Sequence, residues 1–176
     1  MEIYIEQLKK QDAEDLFTFE LTNKSFFETM VPNRGSKYYD FEYFQILLND
    51  LLIEQADGNS YFYLIRNEEK EIVGRINLVD LDRETKISSL GYRVGERFIK
   101  KGVATAAVKL ILDVAKNNEI NEVHAKTTTN NLASQLVLEK SGFSYKNEAD
   151  TNSVELNGEH VNFVHYIWRN SSCSKS

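Results

Sequence analysis

Residues 90–105 read LGYRVGERFIKKGVAT and join a predicted strand to a predicted helix that begins at Gly102. The first N–H groups of a helix have no partner within the helix and lie at the positive end of its dipole. They therefore offer a site for a phosphate or pyrophosphate group. Gly102 removes a side chain that would block close approach, and Ala104 keeps the first turn open. Lys100 and Lys101 add positive charge, so the segment predicts an anion-binding helix start.

The same residues also fit a helix that follows a solvated pair of lysines, and both interpretations stay open at this level. The phosphate-binding loop of nucleotide triphosphatases requires a second glycine followed by Lys and then Ser or Thr. A dinucleotide-binding fold requires three spaced glycines in a βαβ unit at the start of the domain. The sequence contains neither pattern, which argues against these two nucleotide-binding classes.

Hydrophobic periodicity outside this segment predicts a mixed α/β fold. The predicted elements are a strand at 3–8, a helix at 12–22 capped by Asp12, a helix at 40–55, strands at 61–65, 72–78 and 86–94, a helix from 103, a strand at 123–128, a helix at 131–141, and a hairpin that turns at Asn157-Gly158 and returns along 160–168. Consecutive strands imply antiparallel pairing, and the strand–helix–strand unit at 88–127 implies a parallel pair. We therefore expect a mixed, mostly antiparallel central sheet with helices on both faces.

Residues 23–39 show no clean period and predict a long ordered loop, which in a compact domain is often functional. Its aromatic part, Phe26-Phe27-Glu28-Thr29-Met30, is the segment that we expect to face the substrate. Packing of Phe26 and Phe27 into the core is an equally good interpretation. The alternatives differ in whether substitutions at Phe27 and Glu28 change the binding of substrate.

Size and charge limit the function classes. The chain has 176 residues, 41% of them hydrophobic, which predicts a single domain at 1–170 followed by a flexible tail at 171–176. The 21 Lys and Arg against 27 Asp and Glu give a net charge of −6. This balance argues against direct nucleic-acid binding and suits a basic partner such as an amine or a basic polypeptide. A monomer and a homodimer are both compatible with the sequence.

The cysteine count and the chain start predict a location. Cys173 is the single cysteine and cannot form an internal disulfide, as is typical of a reducing compartment. No secretory signal pattern opens the sequence, and no apolar run approaches the roughly 20 residues that cross a bilayer. We therefore expect a cytoplasmic protein without membrane association. The sequence also contains no Cys/His cluster that would predict a metal site.

Two motifs fall in order on the strand–helix–strand–helix unit. The first is Gly-Tyr-x-Val/Ile-Gly followed by a Gln/Arg-x-x-Gly-x-Gly/Ala loop, matched at 91–95 and 102–104. The second is Asn-x-x-Ser, then Glu-Lys, then Gly-Phe, matched by Asn131, Ser134, Glu139, Lys140, Gly142 and Phe143. With both motifs the chain resembles the GCN5-related N-acetyltransferases (GNAT), in particular the RimJ/RimL-type ribosomal-protein branch. The resemblance implies the acyl-CoA N-acyltransferase fold, acetyl-CoA as the cofactor and an amine acceptor.

The resemblance also implies roles for single residues. Backbone N–H groups from Lys101 to Ala104 would hold the pyrophosphate, and the backbone of Val94 would pair with the pantetheine arm like an added strand. Asn131 would hydrogen-bond that arm, and Ser134 would lie near the thiol sulfur as an acid. The full set of expected cofactor-binding residues is Tyr92, Val94, Lys100, Lys101, Gly102, Val103, Ala104, Thr105, Asn131 and Ser134.

Four positions depart from the family pattern. The usual leading Gln or Arg of the loop is Ile99, and a frequent glycine is Lys100. The tyrosine that many relatives use as general acid is replaced by Leu138, and a frequent Glu before the Gly-Tyr strand is Ser89. The cofactor contacts are therefore better matched than the groups that transfer protons.

The chemistry needs attack of a neutral amine on a thioester, stabilisation of an oxyanion and protonation of the leaving thiolate. Direct transfer is favoured because the cysteine lies in the tail. Ser134 is the candidate acid. Water or a carboxylate is the candidate base, and the candidate carboxylates are Glu96, Glu155 and Glu159, each of which also fits a solvated surface charge. The most favoured acceptor is the N-terminal α-amine of a protein. A small amine (a polyamine, amino sugar or antibiotic) and a non-catalytic acetyl-CoA-binding module are the alternatives.

Overall fold

A computed structural model describes residues 1–146 and 152–173. Within these ranges the chain forms β1 (Ile3–Gln7), α1 (Ala13–Thr22), α2 (Lys24–Glu28), α3 (Phe41–Ala56), β2 (Tyr61–Asn67), β3 (Ile72–Val79), β4 (Ile87–Val94), α4 (Val103–Asn117), β5 (Glu122–Thr128), α5 (Leu132–Lys140), β6 (Ser144–Lys146), β7 (Ser153–Leu156) and β8 (Glu159–Arg169). Short 3₁₀ helices occupy Lys10–Asp12, Ser36–Tyr39, Glu96–Phe98 and Ser171–Cys173. In the described part of the chain, no helix is long and apolar enough to cross a membrane.

The sheet is mixed and mostly antiparallel, as the sequence predicts. Its strand order is β1-β2-β3-β4-β5-β8-β6, and β7 pairs with β8. The β4·β5 pair is parallel, whereas the other pairs are antiparallel. The parallel pair arises because α4 carries the chain back across the sheet between β4 and β5.

Strands β4 and β5 pair along only half of β4. The parallel register runs from Ile87 opposite Glu122 to Leu90 opposite Ala125. Beyond Leu90, β4 keeps its pairing with β3 through Val94, while β5 continues along β8. The two strands therefore separate, and the backbone edge of β4 from Gly91 to Val94 faces a gap inside the sheet.

Helices cover both faces of the sheet, and each face has its own hydrophobic core. On one face α4 buries the apolar stripe that its helical spacing predicts, including Ala107 and Ile111 at 0% exposure. On the other face α1 and α3 bury Leu16 and Phe44. The sheet thus separates two hydrophobic cores. The gap between β4 and β5 is an opening that connects the two faces of the sheet.

Two sequence predictions need correction, and one short strand was missed. The predicted loop at 23–39 contains α2 and a 3₁₀ helix, because Phe27 is buried in the core against Phe19. Asp12 does not cap α1 with its side chain. Its carboxylate accepts hydrogen bonds from Arg66 Nη2 at 2.9 Å and from the Lys9 N–H at 2.8 Å. The short strand β6 was not predicted, since three residues are too few to show alternation.

The predicted hairpin is present, with β7 and β8 joined at Asn157-Gly158. Both turn residues adopt positive φ angles, 51° at Asn157 and 81° at Gly158. Asn and Gly are the residues that tolerate this conformation best. The predicted flexible tail begins with the 3₁₀ helix Ser171–Cys173, and residues 174–176 lie outside the described ranges.

Candidate active site

A cavity of about 800 Å³ occupies the gap between β4 and β5. It extends from the start of α4 at one end, past α5, to α2 and its following loop at the other. Backbone groups of β4, the first turn of α4 and side chains from both cores line it. The cavity is therefore a passage across the sheet with two chemically different ends.

The end at α4 is an uncapped helix start. Gly102 has φ 78° and no side chain caps the helix, so the first N–H groups of α4 have no partner within the helix. A Cβ placed on Gly102 would meet no protein atom within 4 Å, which leaves the approach to these groups open. The positive helix end fits a phosphate or pyrophosphate group.

Lys100 has a left-handed backbone, with φ 60°. Relatives often carry a glycine at this position, and the positive φ angle supplies the physical reason, since a side chain there is strained. Lys100 lines the cavity, whereas Lys101 does not. The Lys101 ammonium lies 5.6 Å from the centre of the Phe98 ring.

The middle of the cavity contains a pair of hydroxyl groups. The Tyr92 hydroxyl lies 2.8 Å from Ser134 Oγ. Burial raises the pKa of Tyr92, and the hydrogen bond to Ser134 opposes this only in part. The phenol is therefore protonated at neutral pH and is a proton donor. Leu138, at the position of the missing family tyrosine, is 1% exposed and packs in the core.

Asn131 holds the start of α5. Its side-chain oxygen accepts a hydrogen bond from the Ser134 N–H at 3.1 Å, so it caps the helix that presents Ser134. This contact occupies the oxygen of the Asn131 side chain. A role of Asn131 towards the cofactor stays a prediction.

The end at α2 contains a buried ion cluster. Glu20, on α1, is 0% exposed and accepts from Arg75 Nη1 at 2.8 Å and Arg93 Nη1 at 3.2 Å. Burial alone would raise the pKa of Glu20, but the two guanidinium groups outweigh it and hold the pKa below its usual value. Burial, with the like charges of Arg34 and Arg75, lowers the pKa of Arg93 to about 10 despite the attraction of Glu20.

Most of the predicted cofactor-binding residues meet in this cavity. Those that line it are Tyr92, Val94, Lys100, Gly102, Val103, Ala104, Thr105, Asn131 and Ser134. Glu96 lies instead at a second, smaller cavity, with Asp15 and Arg97. Glu155 and Glu159 are exposed on the β7–β8 hairpin. None of the three candidate bases lines the main cavity.

Sequence reasoning missed the cluster of Glu20, Arg75 and Arg93, and it missed the contact of Tyr92 with Ser134. A usable signal existed for the arginines. Arg75 and Arg93 lie within predicted strands of the central sheet, and a charged residue buried in a strand requires a partner. The partner itself could not be predicted, because Glu20 is 55 residues away from Arg75 in the sequence.

The gap in the sheet beside an uncapped helix start has a shape that can accommodate an extended, phosphate-bearing cosubstrate. Residues 2–144 match the family model described as "Acetyltransferase (GNAT) domain". The chain belongs to the GNAT acetyltransferase family and is an acetyl-CoA-dependent acyltransferase. The backbone edge of β4, the open start of α4 and Lys100 fit the pantetheine arm and the phosphates of acetyl-CoA.

Known proteins of this family resemble the chain along nearly its whole length. It is 28% identical over 159 residues to "Probable N-acetyltransferase YjcK" of Bacillus subtilis, covering 89% of this chain and 87% of that protein. A ribosomal-protein-S5-alanine acetyltransferase from Vibrio fischeri has the same fold, with a TM-score of 0.89 at 19% identity and coverage of 97% and 94%. The ribosomal L7/L12 α-N-protein acetyltransferase RimL, in complex with coenzyme A, gives 0.85 at 18% identity, with coverage of 95% and 93%.

Proposed function

We propose that the protein transfers the acetyl group of acetyl-CoA directly to the N-terminal α-amine of a protein or peptide. One observation carries this choice of amine. Among the residues that the structure describes, none of the side chains lining the cavity is an aspartate or glutamate. The described lining of the cavity therefore offers no carboxylate that could deprotonate a strongly basic amine.

The pKa of the acceptor then decides how much of it can react. An α-amine with a pKa of about 8 is roughly one-tenth neutral at pH 7. A side-chain amine with a pKa of about 10.4 is neutral in only roughly one molecule in 2,500. The cations at the α2 end disfavour an ammonium group further, because like charge stabilises the neutral amine. Both effects favour an α-amine over a lysine side chain or a polyamine.

Acetyl-CoA supplies the activated acyl group as a thioester. The first turn of α4 would hold its pyrophosphate, with Lys100 beside it, and the edge of β4 at Val94 would pair with its amide groups. Ser134 would donate a proton to the departing sulfur. The Tyr92 hydroxyl, 2.8 Å from Ser134 Oγ, would orient Ser134 and relay a proton back to it from water. The attacking nitrogen would lose its extra proton to water, so that the transfer forms the amide and releases the free thiol.

The chain lacks the tyrosine that many relatives carry at the position of Leu138. The Tyr92 phenol on β4 is then the protonated hydroxyl that lies beside Ser134. A small amine of low pKa fits the same cavity, whereas a polyamine does not suit a lining without carboxylates. A cytoplasmic location, a monomeric or homodimeric state and the absence of direct nucleic-acid binding stay predictions.

The first test is calorimetric titration of the protein with acetyl-CoA, repeated on Gly102→Glu. The substitution places a negative charge at the open start of α4, so we expect micromolar binding by the wild type and loss of binding by the variant. Arg83→Glu, an exposed charge change outside the cavity, is the control and should bind normally. Equal binding by Gly102→Glu and wild type would contradict the proposed pyrophosphate site.

The second test separates the amines. A peptide with a free N-terminus and no lysine is compared with its N-formylated counterpart carrying one lysine, and acetylation is followed by mass spectrometry. We expect acetylation of the free N-terminus, with a rate that rises from pH 6.5 to 8.5 as the α-amine loses its proton. Preferred acetylation of the lysine would overturn the proposal, and tight cofactor binding without any turnover would favour the non-catalytic module.

A further inference from the structure

The charges lining the cavity are opposite to the charge of the chain. The protein has a net charge of −6, yet the charged residues that line the cavity are all cationic. They are Arg34, Arg75, Arg93, Lys100, Lys126 and Lys140. Such a lining inside an acidic protein indicates that something negatively charged enters the cavity.

The phosphates of acetyl-CoA account only for the positive charge at the α4 end of the cavity. Arg75 and Arg93 lie on the opposite side of the sheet, where both contact Glu20 on α1. Arg34 follows α2 on the same side, with its guanidinium 4.7 Å from the Tyr38 ring. These three arginines belong to the end of the cavity from which the amine would enter.

This end keeps a surplus of positive charge. Arg75 and Arg93 share one carboxylate, that of Glu20, so two guanidinium groups face a single negative charge. Glu28, on the neighbouring helix α2, does not line the cavity, and its buried Oε1 has no hydrogen-bond partner among the described residues. Burial is the main cause of the lowered pKa of Arg93, and the like charges of Arg34 and Arg75 add to it.

Asn77 provides a second, independent observation at the same place. Its side-chain oxygen is buried and has no hydrogen-bond partner within the described part of the chain. Asn77 lies on β3 two residues beyond Arg75, opposite Gly91 of β4, and it lines the cavity. Unsatisfied buried acceptors are rare in folded proteins, so this oxygen is positioned for a donor that arrives with a ligand.

We infer that the acceptor carries a negatively charged group close to its reactive amine. The amine N–H would donate to the Asn77 side-chain oxygen, and the anionic group would contact Arg93 and Arg34. Arg93 is the diagonal neighbour of Asn77 across β3 and β4, and diagonal neighbours are about 7–8 Å apart, which is within reach of an α-amine and the acidic side chain of the first or second residue. In a peptide this describes an N-terminus beginning with or followed by Asp or Glu. The inference rests on the proposed acetyl transfer and narrows its substrate.

The test compares acceptors that differ only in charge. Peptides that begin Ala-Asp, Ala-Asn and Ala-Lys, with the same remaining residues, are assayed for acetylation at saturating acetyl-CoA. We expect the KM of the Asp peptide to be about tenfold below that of the Asn peptide and lower still than that of the Lys peptide, as one charge contact of about 1.4 kcal/mol would give. Free aspartate and phosphoserine, assayed beside the peptides, show whether a small anionic amine is accepted as well as a peptide.

Two variants link the preference to these arginines. Arg34→Glu reverses an exposed charge at the cavity and leaves the buried cluster intact. Arg93→Gln removes a charge while Glu20 keeps its contact with Arg75. Each should reduce the preference for the Asp peptide over the Asn peptide, since the tenfold preference depends on both arginines. Arg34→Glu should leave the affinity for acetyl-CoA unchanged. Lys37→Glu, an exposed charge reversal three residues beyond Arg34 and outside the cavity, should keep the wild-type preference.

The outcomes separate this inference from the proposed function. Equal or better turnover of the neutral and basic peptides would overturn the anionic acceptor and leave N-terminal acetylation standing. No turnover of any free N-terminus would overturn the proposed function. In that case the arginines are tested by titrating phosphoserine into the protein saturated with coenzyme A. Binding of phosphoserine that is weakened by Arg34→Glu would support the anion site. Absence of phosphoserine binding would refute it.

Discussion

Replacing Glu20 by glutamine removes the single negative charge that two buried arginines share. Glutamine is nearly isosteric and keeps hydrogen-bonding atoms, so the change isolates the charge. The side chains of Arg75 and Arg93 are 10% and 14% exposed, which prevents water from replacing the lost partner. The substitution therefore leaves two guanidinium groups near each other without compensation.

The expected cost is large for one residue. Removing one partner of a buried ion pair costs about 3–5 kcal/mol. Because glutamine still accepts a hydrogen bond, we expect about 3 kcal/mol, the lower end of that range. For a chain of this size, each kcal/mol lowers Tm by about 2–4 °C, so the variant should melt about 6–12 °C below the wild type. Glu69→Gln, an exposed change in the β2–β3 turn, should shift the free energy of unfolding by less than about 0.5 kcal/mol.

The pH dependence gives a second readout of the same charge. The arginines hold the pKa of Glu20 below its usual value against the effect of burial. Glu20 therefore contributes stability that is fully present above its unfolded pKa of about 4.3 and is lost as the pH falls through its folded pKa. In thermal melts from pH 7 to pH 3, the gap in Tm between wild type and Glu20→Gln should be widest at neutral pH and should narrow below pH 4. If Glu20→Gln lowered Tm at neutral pH no more than Glu69→Gln does, the reasoning would be refuted.

The hydroxyl pair and the strained loop give two further predictions. Tyr92→Phe should lower kcat about tenfold with little change in the KM for acetyl-CoA. Adding Tyr92→Phe to the Ser134→Ala variant should have almost no further effect on kcat, because both hydroxyls serve one proton transfer. Independent effects of the two substitutions in steady-state assays would contradict the pairing. In denaturant unfolding, the free energy of unfolding of Lys100→Gly should exceed that of Lys100→Ala by about 1 kcal/mol, since only glycine relieves the left-handed backbone. Both variants should bind acetyl-CoA several-fold more weakly in calorimetry because both lose the same positive charge, and equal stability of the two would show that this position is not strained.

Some elements could be predicted because their signals are local. The turn at Asn157-Gly158 depends on the φ angles of two adjacent residues, and the start of α4 depends on one glycine followed by a helical stripe. The parallel β4·β5 pair also follows from a short strand–helix–strand unit. In each case the deciding interactions join residues that are close in the sequence.

Other features could not be predicted, because residues far apart in the sequence create them. Tyr92 and Ser134 are 42 residues apart, and Glu20 and Arg93 are 73 apart. The predicted cap by Asp12 was wrong for the same reason. Its carboxylate accepts a hydrogen bond from Arg66, which is 54 residues away in the sequence. Helix α2 forms because Phe27 reaches the core, which a search for periodicity over five residues does not detect.

The sequence by itself determined the family, the order of the longer strands and helices, and the loop that would hold the phosphates of acetyl-CoA. Local backbone preferences and hydrophobic spacing are enough for these features, because the loop acts through its own N–H groups. The tertiary structure decided which charged side chains face the cavity. It excluded Glu96, Glu155 and Glu159 from the lining and brought Arg75, Arg93 and Asn77 into it. Charges interact through space over several ångströms, so their effect on the acceptor depends on how the separate strands and helices pack.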